Sequence, residues 1–307
     1  EIQDSAFAGC TALADVTLPA DLKDLGDKVF MDCTSLESIT IPDKTTRLGN
    51  SVFQNCSALS EVKLSENLYS IGTEAFRYCT SLKTLKLPAS LRILESNEKG
   101  VAGTFANSGL TEMVIPSTVR ETGTEMFDEC YSLQKLAVLG GNNSGLVEHY
   151  KKGVPYGKLE ELTLNIPEVD VYSKYAPYLK KLVLGERVEK VADKSWTNTY
   201  SGGTELKDDW NKLEELVFPE HLSYLGDTDF SALKNLKELI MPEVDECPTT
   251  LRSARSVTRL VVSEGIEEIT YGGSSALQTA VLPKSLKKIK QYAFSGCTSL
   301  SEVTFAE

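Results

Sequence analysis

The feature that most constrains the fold is a sequence motif that recurs along the chain. Its clearest copy is IGTEAFRYCTSLKTLKLP, residues 71–88, and Phe7, Phe30, Phe53 and Phe76 mark successive copies 23 residues apart. A period of roughly 20 to 29 residues with a Leu-x-x-Leu-x-Leu core is typical of a solenoid, in which each copy buries its apolar side against its neighbours. The repeat therefore predicts stacked layers rather than one central core.

The Leu-x-x-Leu-x-Leu core alternates apolar and polar residues, as in LESITIP (36–42) and LKTLKLP (82–88). Such alternation predicts a strand that is buried on one face. Stacking these strands predicts one long parallel sheet on the concave side. We predict thirteen copies, whose first apolar residues are Leu13, Leu36, Leu59, Leu82, Leu110, Leu133, Leu159, Leu179, Leu213, Leu236, Val257, Leu277 and Leu300.

The segment around each repeated Phe is short, as in EAFRYC (74–79), and predicts a single helical turn on the convex side. Five glycines lie four residues before a Phe, where we expect a turn with positive φ. They are Gly26, Gly49, Gly72, Gly123 and Gly226. The predicted fold class is an α/β leucine-rich repeat solenoid, with parallel strands on the concave face and short helical turns and loops on the convex face.

The end-to-end repeat predicts a single domain over residues 1–307, regular over 2–136 and 213–305 and irregular over 139–212. The 44 acidic and 32 basic residues give a net charge of −12, which disfavours nucleic acid as a partner. No apolar run approaches the about 20 residues that a membrane helix needs, so membrane insertion is not expected. We expect a monomer. Because the chain opens inside a repeat, we also expect that any export signal has been removed or cut away.

The columns Ala-Phe-x-x-Cys-x-x-Leu-x-x-Leu-x-Leu-Pro, followed by Ile-Gly, resemble the BspA-like leucine-rich repeats, also called the Treponema type, found mainly in surface proteins of bacteria and some protists. The resemblance is good over 2–136 and 213–305 and poor over 139–212. It implies a secreted or surface-attached protein that binds other proteins or cell surfaces, and it implies no catalytic residues. The sequence also lacks a phosphate-binding loop or dinucleotide fingerprint, so we expect neither an enzyme nor a cofactor.

Six of the seven cysteines share one column of the repeat, three residues before the first Leu of the core. They are Cys10, Cys33, Cys56, Cys79, Cys130 and Cys297. The periodic spacing favours buried, reduced thiols that donate weakly to the adjacent turn, and disulfides between stacked neighbours are the alternative. Cys247 lies outside the column and is expected to be the most reactive thiol. No local Cys-x-x-Cys pair supports a metal site.

The outward strand position between the last two apolar residues of the core becomes apolar toward the C-terminal half. It reads Thr17, Thr40, Lys63, Lys86, Val114, Ala137, Thr163, Val183, Val217, Ile240, Val261, Val281 and Thr304. One interpretation is a β-branched ladder that favours strands on any sheet. The other is a protein-binding strip formed by Val183, Val217, Ile240, Val261 and Val281, flanked by the charges Lys181, Glu215, Glu238 and Arg259.

A 34-residue spacing between Leu179 and Leu213 holds the insertion KSWTNTYSGGTELKDDW. Trp210 falls in the cysteine column and is expected in the core. Trp196 and Tyr200 are candidates to stack on a sugar ring or to anchor a protein contact, unless the Trp folds over its own loop. We therefore hypothesise an adhesion-like surface protein, with a carbohydrate-binding module and a structural spacer for another domain as alternatives.

Overall fold

The computed structural model comprises two compact units, Glu1–Leu159 (unit 1) and Glu160–Glu307 (unit 2). Each unit is built from short parallel strands that are joined by turns. The residues described by the structure are 1–95, 103–123, 126–141, 158–169, 178–191, 212–225, 230, 233–246, 255–269, 271 and 274–306.

Unit 1 has two columns of parallel strands. Its strands within the described residues are β1 (Asp24–Leu25), β2 (Ser38–Thr40), β3 (Arg47–Leu48), β4 (Glu61–Lys63), β5 (Ser70–Ile71), β6 (Ile93–Leu94), β7 (Glu112–Ile115) and β8 (Lys135–Val138). Strands β2, β4, β7 and β8 come from the Leu-x-x-Leu-x-Leu cores, and β2 pairs with β4 as β7 pairs with β8. The other four strands form a second sheet in the order β1-β3-β5-β6.

Unit 2 repeats the same two columns. Its strands within the described residues are β9 (Glu161–Leu164), β10 (Glu168–Val169), β11 (Lys181–Leu184), β12 (Lys190–Val191), β13 (Glu215–Val217), β14 (His221–Leu225), β15 (Glu238–Ile240), β16 (Glu243–Glu246), β17 (Arg259–Val261), β18 (Glu268–Ile269), β19 (Thr279–Leu282), β20 (Lys288–Ile289) and β21 (Glu302–Phe305). The odd-numbered strands come from the leucine cores and form the sets β9-β11-β13 and β15-β17-β19-β21. The even-numbered strands form β10-β12-β14-β16 and β18-β20.

The parallel solenoid predicted from the repeat is confirmed, and the leucine cores supply its strands. In β7, for example, Met113 and Ile115 are buried whereas Glu112 and Val114 are exposed, as the period-2 pattern requires. Eleven leucine-core strands lie in the described part of the chain, so the count of thirteen copies stays a prediction. The cores that begin at Leu13 and Leu82 form no strand, so the strand predicted for residues 82–88 is wrong.

The second strand column was not predicted. It is formed by the residues before the repeated glycine, where Leu25 pairs with Leu48, Leu48 with Ile71, and Ile71 with Leu94. These strands are two residues long in unit 1, so they carry no alternating pattern that a sequence could reveal. Each layer of unit 1 therefore has a leucine-core side, a short-strand side and a Phe-containing turn.

The predicted helical turns are absent from the described residues, which form hydrogen-bonded turns around each Phe instead. A helix is blocked because residues two before and two after the Phe have positive φ, as Lys28 (58°) and Asp32 (61°) do around Phe30. The N–H groups of Met31 and Cys33 bond along the chain to Lys28 O and Phe30 O, and the alternate N–H groups of this segment bond to the next layer. The bonds are Lys28 to Asn50 (2.8 Å), Phe30 to Val52 (2.9 Å) and Asp32 to Gln54 (2.9 Å).

The repeated Phe side chains of unit 1 form a continuous stack. Successive ring centroids of Phe7, Phe30, Phe53, Phe76, Phe105 and Phe127 are 5.4 to 6.0 Å apart. All of these rings except that of Phe7 are fully buried. The stack fills the space between layers, as the sequence predicts for an inward Phe column.

The repeated glycines of unit 1 serve a different purpose from the predicted one. In the turns around each Phe, positive φ falls mainly on non-glycine residues such as Lys28, and Gly26, Gly49 and Gly72 do not have it. A Cβ at Gly49 would instead lie 2.3 Å from the carbonyl oxygen of Gly26. Gly49 N–H bonds to Leu25 O at 3.1 Å, so glycine is required because backbones of adjacent layers approach closely.

The cysteine column is confirmed as buried, free thiols at four positions, Cys33, Cys56, Cys79 and Cys130. Each Sγ donates to the carbonyl oxygen of a Phe in the preceding layer at 3.0 to 3.2 Å; the acceptors are Phe7, Phe30, Phe53 and Phe105. Burial raises the pKa of Cys56 to about 12 and that of Cys130 to about 11. The prediction of burial is wrong for Cys10 and Cys297, which are exposed and half-buried free thiols.

Unit 2 fills the Phe column in another way. Tyr271 lies six residues before Leu277, at the Phe position, and is fully buried with its ring centroid 5.9 Å from that of Phe294. Ser274 takes the cysteine position and donates its hydroxyl to Arg255 O at 3.1 Å. Neither role was predicted from the sequence, although the spacing from Leu277 identifies both residues.

Candidate binding surface

The strip predicted from the sequence lies on the outward face of the leucine-core sheets of unit 2. The outward position is fixed because its neighbours along the strand point inward, as Leu239 does beside Ile240. Ile240 is 48% exposed and Val217 is 38% exposed. Val183, Val261 and Val281 are half-buried. All five side chains of this apolar strip therefore reach the surface.

Strand pairing places the members of the apolar strip side by side. Val183 pairs with Val217 between β11 and β13, and Val261 pairs with both Ile240 and Val281 among β15, β17 and β19. Strand β13 also contacts β15, although the two belong to different sheets. The apolar strip is therefore continuous across five neighbouring strands of unit 2.

Polar residues close both ends of the apolar strip. Thr163 pairs with Val183, and Thr304 pairs with Val281. Both threonines are β-branched like their neighbours, so strand propensity is the same along the row while polarity changes at its ends. The apolar strip thus has defined limits within unit 2.

A row of charged residues runs beside the apolar strip, two residues earlier in strands β11, β13, β15 and β17. Lys181 Nζ lies 2.7 Å from Glu215 Oε1, and Arg259 pairs with Glu238 on the adjacent strand. Each side chain is between 40% and 51% exposed, so a pair of this kind contributes only about 0–1 kcal/mol to stability. Their main effect is to neutralise one another, which leaves the apolar strip bordered by paired charges.

A carboxylate fixes the turn that follows β17. Glu264 accepts hydrogen bonds from the backbone N–H groups of Lys284 (2.8 Å) and Ser285 (3.0 Å) in the next layer. These bonds, that of Lys284 first, lower the pKa of Glu264. The turns at the ends of β17 and β19 are therefore tied together, which keeps Val261 and Val281 in register.

The same outward position in unit 1 is mostly polar. Thr40, Lys63 and Lys86 are exposed there, and no ion pair of either lysine occurs among the described residues. Val114 is 52% exposed, but it is flanked by Lys86 and Ala137 in the row and so is an isolated apolar residue. The outward row thus changes from mostly polar in unit 1 to apolar in unit 2, and its apolar side chains in unit 2 reach the surface.

Several sequence candidates lie outside the described residues. They are Trp196, Tyr200, Trp210 and Cys247. The proposed roles of Trp196 and Tyr200 in sugar or protein contacts therefore stay predictions, as does the reactivity of Cys247.

One histidine has an acidic partner that the sequence did not suggest. His221 Nε2 on β14 lies 3.0 Å from Asp245 Oδ1 on β16, and both side chains are largely exposed. Ser223, on the same face of β14, donates its hydroxyl to Glu189 O at 2.9 Å instead of to His221. In the described part of the chain, no cluster of three or more His, Cys, Asp or Glu residues could hold a metal ion.

Comparison with protein families gives a match along nearly the whole chain. The family model described as BspA type Leucine rich repeat region (6 copies) matches residues 1–99, 101–201 and 208–307. These stretches include most of residues 139–212, where the motif is hardest to follow by eye. A search of curated proteins gives no match.

Three solved structures are similar to this chain over much of their length. A leucine-rich repeat protein from Bacteroides ovatus is 18% identical, with a TM-score of 0.46 and coverage of 95% of this chain and 87% of that one. A leucine rich cell surface protein from Faecalibacterium prausnitzii is 20% identical, with a TM-score of 0.31 and coverage of 96% and 86%. The T. pallidum Leucine Rich Repeat protein is 18% identical, with a TM-score of 0.35 and coverage of 71% and 76%.

The described residues contain no helix that has both the length and the apolar character that crossing a bilayer requires.

Proposed function

The chain belongs to the BspA type leucine-rich repeat family, and from this premise we propose that it is a non-enzymatic bacterial protein, exported or displayed on the cell surface, that binds another protein or a cell surface. The binding face is the outward side of the leucine-core sheets in unit 2, which the sequence predicts to be concave. The chain acts as a monomer and a single repeat domain in this proposal.

The observation that carries the proposal is the apolar strip. Five adjacent strands each present an apolar side chain at a position where unit 1 has Thr40, Lys63 and Lys86. A contiguous exposed apolar row bordered by polar residues is the composition expected of a protein-binding patch. Ile240 and Val217 remain partly exposed in the folded protein, so removing them from water on binding would favour the complex.

The charges beside the apolar strip favour a protein partner over a charged polymer. Because Lys181 and Arg259 are paired with Glu215 and Glu238, the border presents little net charge to a ligand. The whole chain carries a net charge of −12, which repels polyanions. A partner that presents uncharged apolar side chains matches this surface best.

The test compares two double variants that add the same charge at the same strand position. Val217→Lys with Ile240→Lys disrupts the apolar strip, and Thr17→Lys with Thr40→Lys is the matched control in unit 1. Labelled proteins are incubated with a panel of intact bacterial and cultured animal cells and of immobilised matrix proteins. The unit 2 variant should lose most of the binding at whichever surface the parent binds best, and the control should retain it.

Three results would contradict the proposal. Equal binding by the unit 2 variant and the parent would make the row a strand-propensity ladder. Absence of parent binding to the whole panel would favour a structural spacer. A glycan-array signal that disappears in Trp196→Ala but persists in the Val217→Lys, Ile240→Lys variant would favour the carbohydrate-binding alternative.

A further inference from the structure

A second candidate surface lies in unit 1, on the sheet formed by β1, β3, β5 and β6. The residues that precede each short strand are joined by hydrogen bonds between layers. Tyr69 N–H bonds to Thr46 O (2.7 Å), Arg92 N–H to Tyr69 O (2.9 Å), and Arg120 N–H to Arg92 O (2.8 Å). Tyr69, Arg92 and Arg120 therefore occupy one row in three adjacent layers, and we call them the Tyr–Arg row.

The side chains of the Tyr–Arg row are available to a ligand. Tyr69 is 53% exposed, Arg120 is exposed and Arg92 is half-buried. Neither arginine forms an ion pair with any residue in the described ranges, and this includes Glu121, which follows Arg120 in the chain. Adjacent like charges on a sheet are unfavourable, so a neighbouring anionic group would relieve the repulsion between the two guanidinium groups.

Arg92 is held in place by its own turn. Its Nη1 donates to Ala89 O at 2.9 Å and to Leu91 O at 3.0 Å. These bonds use one nitrogen of the guanidinium and leave Nη2 and Nε to donate elsewhere. A guanidinium that is already oriented loses less entropy on binding a carboxylate.

The row stands out against the composition of the chain. The protein has a net charge of −12 and 44 acidic residues, yet this row joins two arginines and one tyrosine. Lys23 extends it by one exposed cation before Thr46, and Arg47 on β3 lies beside it with Glu95 at 3.6 Å. Tyr and Arg are the residues most enriched at the energetic centres of protein interfaces.

We propose that the Tyr–Arg row is a second interaction surface, which binds a short acidic segment of a partner protein. Carboxylates of the segment pair with Arg92 and Arg120 through the guanidinium forks, and an adjacent apolar or aromatic side chain packs on Tyr69. The three layers span roughly 10 Å at about 4.8 Å per layer. That length corresponds to about three or four residues of extended peptide, and the overall negative charge of the chain disfavours a longer polyanion.

The experiment measures fluorescence anisotropy of a labelled, end-capped Glu-rich octapeptide that contains one Phe, with the Gln-for-Glu peptide as the uncharged comparison. The Glu peptide should bind the full chain and the Gln peptide should not. Arg92→Gln with Arg120→Gln should raise the dissociation constant roughly tenfold or more, and Tyr69→Ala should raise it to a smaller extent. Because all three side chains reach solvent, thermal melts should show that the variants remain folded.

A matched control separates a specific site from net charge. Lys63→Gln with Lys86→Gln removes two positive charges from the leucine-core sheet of the same unit and should leave peptide binding unchanged. Equal weakening by the lysine and arginine variants would overturn the proposal, as would undiminished binding by the arginine variant. Selective binding of a heparin-derived octasaccharide instead of the peptide would show that the row recognises an acidic glycan, which would also overturn it.

Discussion

The outward strand position differs between the two units although both use the same repeat. Unit 1 places Thr40, Lys63 and Lys86 there, and unit 2 places Val217 and Ile240 in the corresponding row. The inward strand positions remain apolar in both units and are mostly buried, except in the last strand, β21, where Val303 and Phe305 are exposed. The difference teaches that folding constrains the inward columns more tightly than the outward row, which is why the proposed function is assigned to the outward row.

The inner columns differ as well. Unit 1 has an uninterrupted stack of six Phe rings and a row of thiols that bond to the preceding layer. In the described part of unit 2 the corresponding places include Phe230, Tyr271 and Phe294, with Leu233 and Ser274 at cysteine positions. Stability of unit 1 should therefore depend strongly on its inner columns and weakly on its outward row.

The largest expected effect concerns thiol chemistry in the cysteine column of unit 1. Burial raises the pKa of Cys56 from 9.0 to about 12, which lowers its thiolate fraction at pH 8 about a thousandfold. Iodoacetamide labelling followed by mass spectrometry should find Cys56 and Cys79 protected in the native protein and labelled after denaturation. Rapid native labelling of either residue, or a disulfide between them, would contradict the packing interpretation.

The raised pKa of Cys56 also predicts that the protein becomes less stable at alkaline pH. The native state holds the proton of Cys56 up to a pKa of about 12, whereas the unfolded chain loses it near 9.0. The native state therefore binds more protons between these values, and the free energy of unfolding should fall as pH rises from 9 to 12. Cys56→Ala should show a shallower fall over that range than the parent, as measured by urea unfolding at each pH.

Truncation of one stacked ring should cost the most stability. Phe53 is fully buried, with the rings of Phe30 and Phe76 at centroid distances of 5.7 and 5.5 Å. Phe53→Ala should lower the free energy of unfolding by about 3–5 kcal/mol, measured in urea. Val217→Ala, in the outward row, is the control and should cost less than about 1 kcal/mol. Similar losses for both variants would remove the distinction between inner and outer columns.

A pair of glycine variants separates close backbone approach from turn conformation. Gly49→Ala places a Cβ 2.3 Å from Gly26 O and should cost about 1–3 kcal/mol, because the two layers must move apart. Gly9 has a φ of 74°, but a methyl group added to its Cα would have no neighbouring atom within 4 Å, so Gly9→Ala should cost about 1 kcal/mol at most. Thermal melts that rank Gly9→Ala as the more harmful change would contradict the interpretation that close backbone approach is what requires glycine at position 49.

Much of the architecture follows from the sequence because the leucine cores are periodic. Alternation over Leu36 to Pro42 predicts a strand, and the spacing of Phe30, Phe53 and Phe76 predicts the stack. The turns could not be predicted correctly, since positive φ falls on non-glycine residues such as Lys28 and is imposed by hydrogen bonds between layers. A two-residue strand such as β3 likewise carries no pattern of its own.

The candidate surfaces were predictable to different degrees. Val217 and Ile240 could be identified because they occupy a fixed position within the Leu-x-x-Leu-x-Leu motif. The Tyr–Arg row was missed because Tyr69 and Arg92 precede two-residue strands and Arg120 precedes a single bridge residue, Glu121. The interval from Arg92 to Arg120 also departs from the 23 residues that separate Tyr69 from Arg92. Only the hydrogen bonds between layers place these three residues together.

The most direct test of the central claim changes polarity without changing strand propensity. The triple variant Val217→Thr, Ile240→Thr and Val261→Thr keeps a β-branched residue at each outward position, so its free energy of unfolding should stay within about 1 kcal/mol of the parent. Its dissociation constant for the surface bound by the parent should rise at least roughly tenfold. An unchanged dissociation constant in a folded triple variant would contradict the claim that the apolar strip of unit 2 is a binding surface.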